Sequence, residues 1–159
     1  MIPKIIHYCW FGGGQMPELV QRCIASWHQH MPEWEYRLWN ETAISQTLKQ
    51  SIPSQNKEER LLCQNPTQYN ENGWLEAMPQ YVREAYAAKK YAFVSDYVRL
   101  WALEREGGVY LDTDVEVLRS LDSLLDDTAF IGLEESLAQL PGTCVMGCEA
   151  HCQWIKDML

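Results

Sequence analysis

The stretch Glu106-Gly107-Gly108-Val109-Tyr110-Leu111-Asp112-Thr113-Asp114-Val115-Glu116-Val117 constrains this chain more than any other. A glycine pair stops one element and an apolar strand begins at once. Side chains alternate between the two faces of a strand. Val109, Leu111, Thr113, Val115 and Val117 therefore share one face, and Tyr110, Asp112, Asp114 and Glu116 the other. Three carboxylates in a row repel one another and cost folding energy unless positive charge compensates them. Two readings fit. One is a solvated acidic face of the kind that protects an edge strand from pairing with another chain. The other is a site for a hard divalent cation carrying a phosphate-bearing ligand. On an extended strand, Asp112 and Asp114 would stand roughly 6.6 Å apart, too far for one Mg²⁺ to bind both directly unless the chain bends. Asp114 is thus the expected direct ligand, and Asp112 acts through water or a ligand hydroxyl.

The flanking patterns place this motif in an α/β fold. Residues 3–10 read as a strand, with Ile5, Ile6, Tyr8 and Trp10 as strand formers. Gly12-Gly13-Gly14 makes a flexible loop, and Pro17 suits the first turn of a helix that runs to about His30. Leu19, Val20, Cys23, Ile24 and Trp27 recur there at helical spacing. Residues 34–39 alternate as a second strand. This strand–loop–helix–strand order opens an α/β nucleotide-binding unit. Residues 42–50 suit a short helix. Residues 51–75 are polar and aperiodic and read as a mobile insertion. Two helices follow, 81–90 and 91–106, the second ended by Gly107 and Gly108. A turn or short helix at 118–125, a strand at 129–133 and a helix opening at His151 complete the pattern.

Bulk properties exclude some classes. A length of 159 residues suits a single domain with its own core. A formal charge of −9 argues against a nucleic-acid binder, which needs a basic surface. An acidic chain that binds an anionic ligand must do so with a metal, local Arg or Lys, or helix N-termini. No apolar run is long enough to span a membrane, and the N-terminal apolar stretch is too short for a signal peptide, so a cytoplasmic location is expected. The six cysteines are then free thiols. Cys144, Cys148 and Cys152 lack the paired spacing of common zinc sites and read as packed thiols.

Two further groups carry chemistry. Asp96 and Arg99 are helical neighbours, read either as a local ion pair or as a clamp on ligand hydroxyls and charge. His7 lies on the first strand, where a hydrogen-bonded core histidine is the favoured reading.

Three segments, Ile2–Gly12, Lys90–Arg99 and Gly107–Asp114, together resemble the DXD-containing glycosyltransferase sugar-binding family, whose relatives include capsular-polysaccharide and mannosyl transferases and, more distantly, glucosylating bacterial toxins. The segments occur in family order. The resemblance implies a single GT-A-like domain over 1–159, with a Rossmann-type α/β sheet flanked by helices. It implies a nucleotide-sugar donor, a saccharide acceptor, Mn²⁺ or Mg²⁺, and transfer with retention, in surface or capsular polysaccharide synthesis. Trp10 would stack on the donor base, Asp96 and Arg99 would hold sugar and phosphate, and Tyr110 would line the pocket. Asp112 and Asp114 would be the metal-linked pair.

Two departures stand out: the long segment between Glu41 and Tyr81, and the lack of a counterpart to the family's His/Trp-rich C-terminal motif. The second leaves open a domain that binds nucleotide sugar without catalysis. The helix from His151 should leave Trp154, Ile155, Met158 and Leu159 as an apolar patch, expected to be covered by a partner, a second copy or residues beyond this sequence. Peripheral association with a membrane surface is a further expectation.

Overall fold

The computed structural model describes residues 1–50, 73–134 and 140–159. Most of the segment expected to be an insertion, residues 51–72, lies outside the described residues. Its far end, Gly73–Glu76, is a short helix whose Trp74 is buried.

The chain begins with β1 (Ile5–Cys9), α1 (Glu18–His30), β2 (Glu35–Trp39) and α2 (Glu41–Gln50). Next come three helices: α3 (Gly73–Glu76), α4 (Gln80–Ala87) and α5 (Tyr91–Glu106). Strand β3 (Gly108–Leu111), a 3₁₀ turn at Asp122–Leu124, β4 (Ala129–Glu134), β5 (Leu140–Cys148) and α6 (Gln153–Met158) complete the fold. One five-stranded sheet, in the order β2-β1-β3-β5-β4, holds the molecule together. Strands β1, β2 and β3 are parallel, while β5 runs antiparallel to both β3 and β4.

Two apolar layers cover the sheet, and strand alternation decides which residue joins which. Val109 and Leu111 join Ile6, Trp27, Met31 and Trp34 beneath α1. Tyr110 points the other way, among Val94, Val98, Ala102 and Leu103 of α5, Met146 of β5 and Ile155 of α6. Helix α5 buries Val94, Val98, Arg99, Ala102 and Leu103, the i, i+4, i+5, i+8, i+9 stripe of an amphipathic helix. Full burial of a side chain such as Leu103 contributes about 2 kcal/mol.

The two glycines between α5 and β3 are sterically required. Gly107 has φ +64° and caps α5 with its N–H on the Leu103 carbonyl. A β-carbon there would lie 2.5 Å from the Ala150 amide nitrogen. Gly108, at φ +104°, would bring one within 2.7 Å of the Ile5 carbonyl. The helix can therefore turn straight into the central strand only through two residues without side chains.

Beside this turn, His7 is fully buried. The Trp39 indole N–H donates to its Nδ1 at 3.0 Å, and its Nε2 lies 2.8 Å from the Gly107 carbonyl. These partners select the neutral ring protonated at Nε2, and burial lowers its pKa to about 4. It is a packed, paired core histidine.

Strand β5 was not legible in the sequence. Pro141, Gly142 and Gly147 argue against a strand, yet the segment pairs with β3 from Leu111↔Val145 to Gly108↔Cys148. Gly147 gives room to the Phe130 ring, and Gly142 to the Glu134 side chain. Cys9, Cys23 and Cys148 are buried free thiols, and Cys144 and Cys152 are half-buried ones. Helix α6 buries Ile155 and packs Trp154 against the core, so half of the expected patch is internal. Met158 and Leu159 remain exposed. No helix among the described residues is long and apolar enough to cross a membrane.

Candidate active site

The acidic motif is not one continuous strand. Strand β3 stops at Leu111, and the chain turns at Asp112-Thr113-Asp114, with the Val115 N–H donating to the Asp112 carbonyl at 3.0 Å. Aspartate is favoured at the first position of such a turn. The strand expected to run on to Val117 ends early because other elements take its backbone groups. The Asp112 N–H donates to the Cys144 carbonyl of β5. The Trp27 indole N–H donates to the Val115 carbonyl at 2.7 Å, and the Val117 N–H to the Ser26 hydroxyl at 2.9 Å. Val117 is still buried, and Val115 packs against the layer under α1, which is why the period looked strand-like. The turn corrects the expected common face of Asp112, Asp114 and Glu116. It also removes the extended-strand spacing that kept the two aspartates apart.

Asp112 stands at the carboxyl end of the central strand, in contact with Arg99. The Tyr110 hydroxyl donates to Asp112 Oδ1 at 2.9 Å, and Arg99 Nη2 lies 3.3 Å from the same oxygen. The Arg99 guanidinium sits 4.7 Å from the Tyr110 ring centre, stacked on its face. It also reaches Asp96 Oδ1 at 2.8 Å and donates to the Thr143 carbonyl and hydroxyl, each at 2.6 Å. Arg99 is thus a buried cation tied to α5, β3 and β5 at once. Burial pushes the Asp112 carboxyl above its ordinary range more than Arg99 and Tyr110 pull it down, and Asp114 and Asp96 push it further up. Two further carboxylates, Asp96 and Asp114, thus act on Asp112 against the one guanidinium of Arg99.

The structure thus brings Asp96, Arg99, Tyr110 and Asp112 into one contact network. Asp114 is exposed, two residues further round the turn. Trp10 follows β1, whose register with β3 pairs Ile6 with Val109 and His7 with Tyr110. Because the two strands are parallel, Trp10 and Asp112 lie at the same, carboxyl, edge of the sheet, where open α/β sheets bind ligands. The Trp10 indole N–H donates to the Gly14 carbonyl at 2.7 Å. The loop it belongs to is less free than its glycines suggest. Glu41 accepts the Gly12 N–H at 2.8 Å and the Tyr86 hydroxyl at 2.9 Å, and Gly12 lies against the Tyr91 ring.

Thr143 is the site neighbour that sequence reasoning missed, together with the strand that bears it. Among the described residues no group of three His, Cys, Asp or Glu side chains is placed to enclose a metal. The two aspartates nonetheless suit a hard cation. They are oxygen donors on one turn, Asp114 exposed and Asp112 half-buried. Mg²⁺ commonly takes one or two carboxylates, with phosphate oxygens and waters as its other ligands.

Comparisons with known proteins bear on the family and the fold. The family model described as a glycosyltransferase sugar-binding region containing a DXD motif matches residues 17–131. The chain is 28% identical over 130 residues to inositol phosphoceramide mannosyltransferase 3 of Schizosaccharomyces pombe (strain 972 / ATCC 24843), covering 82% of this chain and 29% of that protein. Among solved structures, the PaToxG glycosyltransferase superposes with a TM-score of 0.64 at 22% identity, over 98% of this chain and 58% of that one. The structural likeness covers nearly the whole chain, and the chain spans less than two thirds of either relative.

Proposed function

Since the chain belongs to the glycosyltransferase sugar-binding family that contains the DXD motif, we infer that it moves a sugar from a nucleoside-diphosphate sugar to a hydroxyl of a saccharide acceptor, with retention at the anomeric carbon. The observation that carries this reading is the Asp96–Arg99–Asp112 network at the carboxyl edge of the parallel strands. Asp114 would hold Mn²⁺ or Mg²⁺ directly, with Asp112 assisting. When bound, the ion supplies positive charge to the departing diphosphate.

The chain's own residues divide the remaining work. Arg99 is anchored by Thr143 and supported by the Tyr110 ring, so its charge is pre-positioned for the donor. Asp96, half exposed, accepts hydrogen bonds from sugar hydroxyls. Tyr110 holds the Asp112 carboxylate in one orientation. Trp10 offers an aromatic face to the base. As the bond between the anomeric carbon and the diphosphate oxygen breaks, positive charge develops on the sugar, as in glycoside hydrolysis. An acceptor oxygen then bonds to that carbon from the face the diphosphate leaves, and its proton passes to the released phosphate. Synthesis of a surface or capsular polysaccharide is the setting we favour, as a cytoplasmic reaction.

Calorimetry with UDP and GDP tests this reading. Affinity for one of them rises with Mn²⁺ or Mg²⁺, and Asp114→Ala removes that rise. Metal-independent binding, unchanged in Asp114→Ala, would contradict the assignment.

A further inference from the structure

A cleft opens between α4 and α5, at the N-terminal end of α5. It has a volume of about 320 Å³ and is lined by Tyr81, Glu84, Ala85 and Ala88 on one wall and Lys90 and Phe93 on the other. The wall from α4 is a single helical face, since 81, 84, 85 and 88 follow the i, i+3, i+4, i+7 rule. Two aromatic rings occupy it without being buried: Tyr81 is 52% exposed and Phe93 47%. Their rings meet edge to face, with centres 6.4 Å apart, and both stay about half exposed. The Lys90 ammonium lies 5.9 Å from the Phe93 ring centre. Glu84 Oε1 accepts the Gln80 side-chain amide at 2.7 Å, which leaves Oε2 outside that bond.

Exposed aromatic faces rimmed by one cation and one carboxylate suit a ligand with both apolar C–H faces and hydroxyls. The position of this cleft links it to the reaction. Phe93, Asp96 and Arg99 follow one another at three-residue intervals along α5, which makes Phe93 and Asp96 surface neighbours. The rise between them along the axis is about 4.5 Å. A saccharide of more than one ring that reaches Asp96 can therefore extend along α5 onto Phe93.

We propose that the Tyr81–Phe93 cleft is the acceptor subsite, and that it holds a saccharide with a pyranose C–H face on the rings and hydroxyls bonded to Glu84 and Lys90. This rests on the reading of the chain as a sugar transferase.

Saturation-transfer NMR on the chain as it stands tests the proposal, with methyl α-D-mannopyranoside, methyl β-D-galactopyranoside, methyl β-D-glucopyranoside and cellobiose as probes. Saturation should reach the ring C–H protons of at least one probe, and the titrated affinity should fall about tenfold in Tyr81→Ala and in Phe93→Ala. Phe93→Trp, which keeps an aromatic face, should restore binding, and circular dichroism should show all variants folded. UDP and GDP should each be titrated with Mn²⁺ on the same proteins, and the one that the parent binds should be bound equally by both alanine variants. Saturation of no probe, equal affinity in the alanine variants, or displacement of the sugar by uridine would overturn the subsite. Failure of the parent chain to bind either UDP or GDP in the presence of Mn²⁺ would instead count against the transferase reading, which separates the two claims.

Discussion

At the scale of single residues, two buried polar groups show how burial divides labour. Arg99 is held in the interior by five acceptors: the carbonyl of Ser95, Asp96, Asp112 and both oxygens of Thr143. His7 gives up its charge because its partners, an indole N–H and a carbonyl, match only the neutral ring. Its folded pKa of about 4 lies below the ordinary value of 6.5. Between those values the unfolded chain binds the extra proton, so the histidine's contribution is fully present above pH 6.5 and is lost as pH falls toward 4. The maximum is about 3 kcal/mol. Urea midpoints measured at about pH 7 and about pH 5 should differ by more in the parent than in His7→Gln, whose amide can serve both partners without titrating. An identical drop in the two proteins would place the acid sensitivity elsewhere.

At the scale of elements, the junction of α5 with β3 determines where the acidic turn falls. Gly107 and Gly108 let the helix end and the central strand begin with no intervening loop, so Arg99 and Asp112 meet across it. Alanine at either position combines a positive φ with a backbone clash. Each substitution should cost roughly 2–4 kcal/mol. Gly13, with φ +65° but open space around it, is the internal control, and Gly13→Ala should cost only about 1 kcal/mol. Equal urea midpoints for Gly107→Ala and Gly13→Ala would show that the junction relaxes, and that strain rather than close packing sets the cost.

At the scale of the whole molecule, the sheet is a wall between two cores, and its centre is drier than its margins. All four residues of β3 are buried, and it is paired on both sides. Among the described residues β2 and β4 are the edges, and Arg37 of β2 pairs with Glu35 and Glu106, charges that discourage pairing with another chain. Native-state hydrogen exchange should therefore find the β3 amides slowest, with the amides of β2 and β4 faster by about tenfold or more. Protection in β4 equal to that in β3 would show that an unseen partner covers that edge. The site hangs from this dry centre through Asp112 and Arg99, so global stability and site geometry are tied to the same residues.

The sequence by itself determined the parallel half of this protein. Residues 5–39 and 91–111 carry undiluted local signals: β-branched and aromatic strands, a 3.6-residue helical stripe, and glycines that only a sharp helix-to-strand turn requires. The same local spacing put Asp96 beside Arg99, and the alternation of β3 correctly separated Tyr110 from Val109 and Leu111. Tertiary structure decided the rest. Asp112-Thr113-Asp114 keeps strand periodicity in sequence but turns, because Trp27 and Ser26, far away in the chain, claim the backbone that a strand partner would have used. Strand β5 is glycine- and proline-bearing and has no strand signal of its own. It forms because β3 and β4 offer it hydrogen bonds on both sides, and its glycines admit neighbouring side chains. With β5 comes Thr143, and with Thr143 the anchor that fixes Arg99 over Tyr110. Local preference is set by the residue and its near neighbours. A backbone amide or a buried guanidinium is satisfied by whichever partner the fold brings within about 3 Å, and that partner can come from anywhere in the chain.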